Sequence, residues 1–399
     1  MKPIRFSPPD ITDLEVQEVV AALGSGWITT GPRTKELEQR IALRVGTPKA
    51  VCLSSATAAL ETTLRVLGIG PGDEVITSAY TYTASASVVH HLGAKLVLVD
   101  TAPGSFEMDY EKLADAFTER TKVVIPVDLA GNMCNYDAIF SVVNEKKDLF
   151  SPENPLQETY GRVIVVADSA HGFGATSRFG TSGQAADFTT FSFHAVKNLT
   201  TAEGGAVVWK DHTGLDHEEL YKEYMLWSLH GQSKDALAKT TIGMWEYDIK
   251  VLGYKCNMTD IAAAIGLKQL ERYDGMLARR QEIISQYNAA LAPYGLDIPT
   301  HVTESARSSG HLYLLRIPGY TEEKRNELIC RLAEREVPTN VHYKPLPMMT
   351  AYQALGFSIE DYPNAYAQYC NEITLPLHTL LEDEDVSYIA KSLIDCWRK

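Results

Sequence analysis

The run DFTTFSFHAVKNLTTAEGG, residues 187–205, contains one residue whose chemistry does not match its surroundings. Phe188, Phe191 and Phe193 alternate with small hydroxyl residues as in a half-buried strand, and a glycine pair closes the run. Between them stands Lys197, with no other charged residue until Glu203. Two readings compete. A lysine at a strand end can lay its stem on apolar surface and keep its ammonium in water. A lysine held in an apolar wall is pushed toward its neutral form, and the neutral amine is the nucleophile that Schiff-base formation requires. The glycine pair would let a flat ligand or a second chain approach closely.

Asp168 sharpens the question. It ends the apolar run GRVIVVAD and precedes SAHGFGA. In isolation it reads as a helix cap. Paired with a Schiff-base lysine it is the acid that pyridoxal phosphate needs against its ring nitrogen, so that the ring can take up electrons. Asp168 and Lys197 fall at the C-terminal ends of two strands with one crossover between them. In SSATAAL, Ser54, Ser55 and Thr57 stand where a strand enters a helix. That position binds anions through free N–H groups and the helix dipole, although the same residues also serve as N-caps. Tyr82, in TSAYTYTASAS, is placed either to stack on a ring or to fill the core.

The elements that must position these residues alternate along the chain. Short Val/Ile-rich runs (AVCLS, EVITS, KLVLVD, KVVIPVD, GRVIVVAD, DFTTFSF and GAVVWK) are separated mostly by helical patterns. That texture predicts an α/β fold with a mainly parallel sheet, covered on both faces and joined by right-handed crossovers. Such sheets bind ligands beyond their strand C-termini. Residues 1–254 read as the large domain. Residues 255–399 read as a long connecting helix, one or two segments starting near Thr259, and a smaller α+β domain. The second half of 141–160, charged and with two prolines, reads as a surface insertion.

Bulk properties narrow the function. The 399 residues are 45% apolar and carry a net charge of −14, with no basic cluster. Nucleic acid and anionic membrane surfaces are poor partners for such a chain. The six cysteines stand apart without CxxC or zinc-like spacing, which predicts a reduced compartment and no structural metal. MKPIRFSPPD lacks a hydrophobic signal core, and no apolar run would span a bilayer. The expectation is a cytoplasmic protein.

Asp168 in ADSAHG, the SFHAVKNLTTAEGG run and GYKCNMTDIAAAIGLKQL together resemble the nucleotide-sugar aminotransferases of the DegT/DnrJ/EryC1/StrS type. The resemblance extends from GWITTGP to HYKPL and LPLH. It implies the fold-type I pyridoxal-phosphate (PLP) architecture, with a seven-stranded, mainly parallel sheet in the large domain and a smaller C-terminal α+β domain. Lys197 then holds the cofactor and shuttles protons, Asp168 pairs with the ring nitrogen, and His171 lies near the cofactor's phenolic oxygen. Tyr82 stacks on the ring, while Ala56, Thr57 and Ser192 contact the phosphate. Asn257 reaches the phosphate from a neighbouring subunit, which implies a homodimer with shared sites.

The likeness is greatest to the branch that aminates C4 of UDP-4-keto sugars. It implies an amino-acid donor, L-glutamate, with pyridoxamine phosphate (PMP) as the nitrogen carrier. Arg33, His342, Tyr343 and Arg316 are candidates to face the sugar's diphosphate. Asp128 and Pro347 replace histidines frequent in the family. Relatives acting as dehydratases replace the lysine by histidine, so Lys197 argues against that chemistry. A dTDP-linked 3-keto-sugar aminotransferase and a non-catalytic sensor with this fold are the alternatives.

Overall fold

The computed structural model describes residues 3–233 and 246–398. Its centre is a seven-stranded sheet of β1 (Ala50–Leu53), β2 (Glu74–Ser78), β3 (Lys95–Val99), β4 (Thr121–Ile125), β5 (Ile164–Asp168), β6 (Phe188–Ser192) and β7 (Gly205–Trp209), in the order β1-β7-β6-β5-β4-β2-β3. Every residue of β2, β4, β5 and β7 is buried, as a sheet covered on both faces demands. The edge strand β3 begins with exposed Lys95. Strands β3, β2, β4, β5 and β6 run parallel.

The expected rhythm of strand, helix, strand breaks at two places. Between β5 and β6 stand only a short two-stranded ribbon, 176–177 with 180–181, and the single turn Ser182–Gln184. No helix joins β6 to β7. The chain returns through residues 193–204 and β7 lies antiparallel between β6 and β1. That return loop carries Lys197. The glycine pair also has a more local reason than a flat ligand or a second chain. A Cβ on Gly205 would stand 2.4 Å from the backbone nitrogen of Ala56, so β7 can start there only as glycine. This contact sets the loop against the N-terminus of helix Ala56–Val66, which Ser55 caps by accepting from Ala58 N–H at 3.0 Å.

The 141–160 segment is anchored rather than merely superficial. Asn154 Nδ2 and buried Gln157 Nε2 both donate to the Leu67 carbonyl, at 3.0 and 2.8 Å. They satisfy a carbonyl left open at the C-terminal end of helix Ala56–Val66.

After Asn257 two helices follow, Asp260–Glu271 and Tyr273–Leu291, with Thr259 as the N-cap of the first. The first packs on helices Asp13–Gly24 and Pro32–Val45. A second apolar cluster, including Tyr287, Leu315, Leu332, Ile373 and Leu393, surrounds the antiparallel pair β8 (Tyr313–Arg316) and β9 (Glu372–Leu375). Alternate residues Leu312 and Leu314 turn the other way, into the main cluster.

Asp260 ties these parts together. Fully buried, it accepts from Gly31 N–H (2.8 Å), Thr34 N–H (2.9 Å), Thr34 Oγ1 (2.7 Å) and Arg33 N–H (3.1 Å), closing the open N-terminus of helix Pro32–Val45. Asp260→Ala leaves four donors unpaired, three of them buried. It should lower unfolding free energy by about 3 kcal/mol, read as a lower urea midpoint with unchanged slope. An unmoved midpoint would show that the cap adds nothing.

Candidate active site

A cavity of about 480 Å³ opens beyond the C-terminal ends of the central strands. Its wall brings together Ala56, Thr57, Tyr82, Asp168, His171, Ser192 and Lys197 from the sequence-predicted set. Asn257 is not in it. Residues 256–258 pair with β1 of their own chain, and the Asn257 side chain donates to Thr30 Oγ1 and accepts from Lys255 Nζ.

Asp168 is the last residue of β5 and is nearly inaccessible to water. Ser85 Oγ donates to one carboxylate oxygen at 2.6 Å and Ala170 N–H to the other at 3.1 Å. Ser85 is in turn bonded to Thr81 at 2.8 Å. Burial pushes the carboxyl above its ordinary range, against the pull of these donors and of Lys197. Lys197 is half-buried in the cavity wall. Desolvation depresses it from 10.5 to about 8, opposed by the charge of Asp168. The snorkelling alternative therefore gives way to the apolar-wall reading.

His171 is buried, and burial, then the charges of Lys197 and His342, holds it well below the ordinary histidine value. Its tautomer follows from its partners. Nδ1 accepts from Ala130 N–H at 3.2 Å, so the proton sits on Nε2, which donates to the Tyr343 hydroxyl at 3.2 Å. The Tyr343 hydroxyl proton is then free to point elsewhere. His311 stacks beneath, 4.2 Å between ring centroids, and its Nδ1–H donates to Asn198 Oδ1 at 3.0 Å. His311, Asn198 and Ser85 escaped the sequence reading. The hydroxyl run around Tyr82 was the signal for Ser85; His311 lay hidden as the first residue of a strand pattern.

Asp128 turns out to be a clamp. Oδ1 accepts from Cys134 N–H (2.9 Å) and Tyr136 OH (3.0 Å), and Oδ2 from Ser169 Oγ (2.7 Å), fixing the turn between Asp168 and His171. Tyr82 is 59% exposed, with its ring 5.8 Å from that of Tyr343, so it is a wall residue and not core. Of the diphosphate candidates, His342 and Tyr343 line the cavity. Arg33 pairs with Glu18 and Arg316 with Asp297, both outside it. Burial and the Lys197 charge lower His342 to about 4, so it is a neutral wall and not the expected cation.

The donor set fits pyridoxal phosphate. Open first-turn N–H groups at Ala56 and Thr57 suit a phosphate, with Ser192 beside them. Asp168 suits a protonated ring nitrogen, Tyr82 offers an open ring face, and Lys197 offers a near-neutral amine. Among the described residues no group of three or more His, Cys, Asp or Glu could hold a metal ion, and no helix is long and apolar enough to cross a membrane.

Comparison with known proteins agrees with this architecture. The DegT/DnrJ/EryC1/StrS aminotransferase family matches residues 9–394, and the chain belongs to that family. Spore coat polysaccharide biosynthesis protein SpsC of Bacillus subtilis is 37% identical over 397 residues, covering 98% of this chain and 96% of SpsC. A solved structure named "Putative sugar aminotransferase Spr1654", from Streptococcus pneumoniae in its PMP form, superimposes with a TM-score of 0.97 at 55% identity, covering 99% of each chain. The same protein has been solved in a PLP form. PseC of Helicobacter pylori, an aminotransferase of pseudoaminic acid biosynthesis, has a TM-score of 0.86 at 26% identity over the whole of both chains.

The depressed lysine is measurable without any ligand. Competitive acylation of the apoprotein across pH, read on the Lys197 peptide by mass spectrometry, should titrate near 8. Asp168→Asn removes the carboxylate that favours the ammonium and should move the midpoint lower still. A midpoint at the ordinary lysine value of about 10.4 would refute the apolar-wall account.

Proposed function

We infer that the protein is a PLP-dependent sugar aminotransferase, moving an amino group from L-glutamate to C4 of a nucleotide-linked keto sugar of the UDP-4-keto-6-deoxy kind. The product would serve surface polysaccharide or glycan synthesis. The observation that carries this reading is that Lys197 and buried Asp168 share one cavity wall with the open first-turn N–H groups of Ala56 and Thr57. The names of SpsC, Spr1654 and PseC support the sugar class and the biosynthetic setting. Six cysteines without a disulfide support a reducing compartment, the cytoplasm.

When bound, pyridoxal phosphate supplies an aldehyde for the amine and a ring that accepts an electron pair. The chain's own groups do the rest. The first-turn N–H groups of Ala56 and Thr57, with Ser192, hold the phosphate. Asp168, aimed by Ser85 and the Ala170 N–H, keeps a proton on the ring nitrogen. Tyr82 covers one ring face, and neutral His171 with Tyr343 orders the polar edge. With the cofactor and donor bound, the Lys197 amine would be the base that takes the proton from the donor's α-carbon. In the second half-reaction it delivers a proton to the sugar carbon from one side, which sets the configuration of the new amine. Glutamate leaves as 2-oxoglutarate.

A second copy of the chain completes the site in this reading. The exposed apolar residues Ile11, Val16 and Val20 line a shallow apolar groove with Ala195, two residues before Lys197. Contact there would bring the neighbour's Asn257 toward the phosphate.

Lys197→Ala should abolish both the aldehyde-bound absorption near ~420 nm and all turnover, a loss of about 10⁴-fold or more. Wild-type enzyme with glutamate and a panel of UDP- and dTDP-keto sugars should give the keto-to-amine mass shift, with NMR of the product separating C4 from C3. Lack of 2-oxoglutarate with every sugar would defeat the assignment. Mixing Lys197→Ala with Asn257→Ala chains at limiting cofactor should restore about a quarter of wild-type activity, because half of the random pairs carry one intact shared site. No restoration would mean each chain works alone.

A further inference from the structure

His342 stands in the cavity wall with a chain of hydrogen bonds behind it. Its backbone N–H donates to Glu372 Oε2 at 2.9 Å, its Nδ1 meets Thr374 Oγ1 at 2.9 Å, and Thr374 Oγ1 donates to Glu372 Oε1 at 2.5 Å. Glu372 and Thr374 belong to β9 and are completely buried. Backbone pairing of Asn340 with Thr374 holds the His342 segment in register against β9. Phe6 stacks on the imidazole from outside, 5.9 Å between centroids, and the other ring nitrogen, Nε2, has no partner among the described residues. The proposed transamination uses neither Glu372 nor Thr374.

We propose that Glu372, acting through the Thr374 hydroxyl, decides whether His342 presents a hydrogen-bond acceptor or a donor to the cavity. Threonine has a single hydroxyl proton. When Glu372 is ionised, that proton goes to Oε1, so Thr374 must accept from His342 Nδ1–H, and Nε2 presents a lone pair. When Glu372 is protonated, Oε2 still receives the His342 N–H, so the new proton sits on Oε1 and points at Thr374. The threonine proton then turns to Nδ1, and Nε2 carries a hydrogen. The two states differ by one proton. It enters at Nε2, displaces the Nδ1 proton to Thr374, and displaces the threonine proton to Glu372.

The surroundings place this exchange near neutrality. Burial raises the Glu372 carboxyl to about 8, against Thr374, the His342 N–H and the Arg325 guanidinium. His342 is held near 4 and so stays uncharged throughout. Four other groups face Glu372. Arg325, from helix Glu322–Ala333, donates to the Glu372 and Tyr369 carbonyls. Tyr80 donates to the His342 carbonyl at 2.9 Å, and Tyr343 follows His342 in the chain. Arg316 opposes Glu372 in the β8/β9 ladder, but Asp297 and Gln368 hold its guanidinium. Glu372 is thus a positioning residue. It rests on the reading above only in taking the cavity as the place where the acceptor sugar's hydroxyls meet Nε2.

The test is the His342 tautomer, read by ¹⁵N NMR of histidine-labelled holoenzyme and assigned by the signal lost in His342→Gln. From about pH 9.5 to about pH 6.5, wild type should change from a bare Nε2 to Nε2–H without forming the imidazolium. Glu372→Gln, whose amide can only donate toward Thr374, should show Nε2–H at both ends, and Thr374→Val should abolish the change. One unchanging tautomer in wild type, or protonation of both nitrogens, overturns the proposal even if the variants fail to fold. The readout needs no sugar, so an enzyme that aminates no keto sugar yet shows the exchange would refute the assigned function and leave this one standing.

Discussion

Exclusion of water from one acid at the end of β5 and one base on the return loop between β6 and β7 is the constraint on which the site depends. Asp168 and Lys197 share a cavity whose walls favour the neutral form of each, and each partly restores the other's charge. Such a pair is costly to the fold unless its polar atoms are satisfied. The protein meets the cost with short, local bonds. Ser85 and the Ala170 N–H serve Asp168, and Thr81 serves Ser85. What the fold loses in stability it regains as a lysine poised to act near neutral pH.

The support continues outward in layers, and each layer uses a different element. Asp128, reached by Ser169, Cys134 N–H and Tyr136 OH, holds the turn that carries His171. Burial raises Asp128 to about 6, against the pull of Ser169, the Cys134 N–H and Tyr136. Behind helix Ala56–Val66, Asn154 and Gln157 close the C-terminal end, so a segment far in sequence steadies the helix whose N-terminus faces the cavity. The return loop between β6 and β7 is pinned at Gly205 against that same helix start. A shift in any one layer moves the lysine relative to the acid.

Much of this was legible from residue order because it rests on local rules. A carboxylate at the end of an apolar run, hydroxyls at a strand-to-helix junction and a lysine beyond an alternating strand each point to the same edge of a parallel sheet. Six strands could be read from their Val/Ile content or apolar runs, and β6 from its alternating phenylalanines. The antiparallel return of β7 could not, since nothing in GAVVWK reports direction. His311, Ser85 and Asn198 were hidden because their roles arise from contacts across 83 to 113 residues, as in the Ser85–Asp168 and His311–Asn198 bonds. The resemblance carried Asn257 to the phosphate of a neighbouring subunit; within its own chain β1 holds it toward Thr30.

That last point bears on how an anionic substrate could bind at all. The chain is strongly acidic, and three carboxylates, Asp128, Asp168 and Glu203, line the cavity with Lys197 as the one cation among its described residues. His342 is neutral there, and Arg33 and Arg316 are spent on Glu18 and Asp297. A phosphate on the Ala56 and Thr57 N–H groups is helped by the helix terminus, worth about 1 kcal/mol in such settings. A nucleotide diphosphate adds further negative charge with no remaining cation in the same wall to receive it. In the proposed dimer, the segment that carries Asn257 would also carry a cation, Lys255, which bonds Asn257 within its own chain.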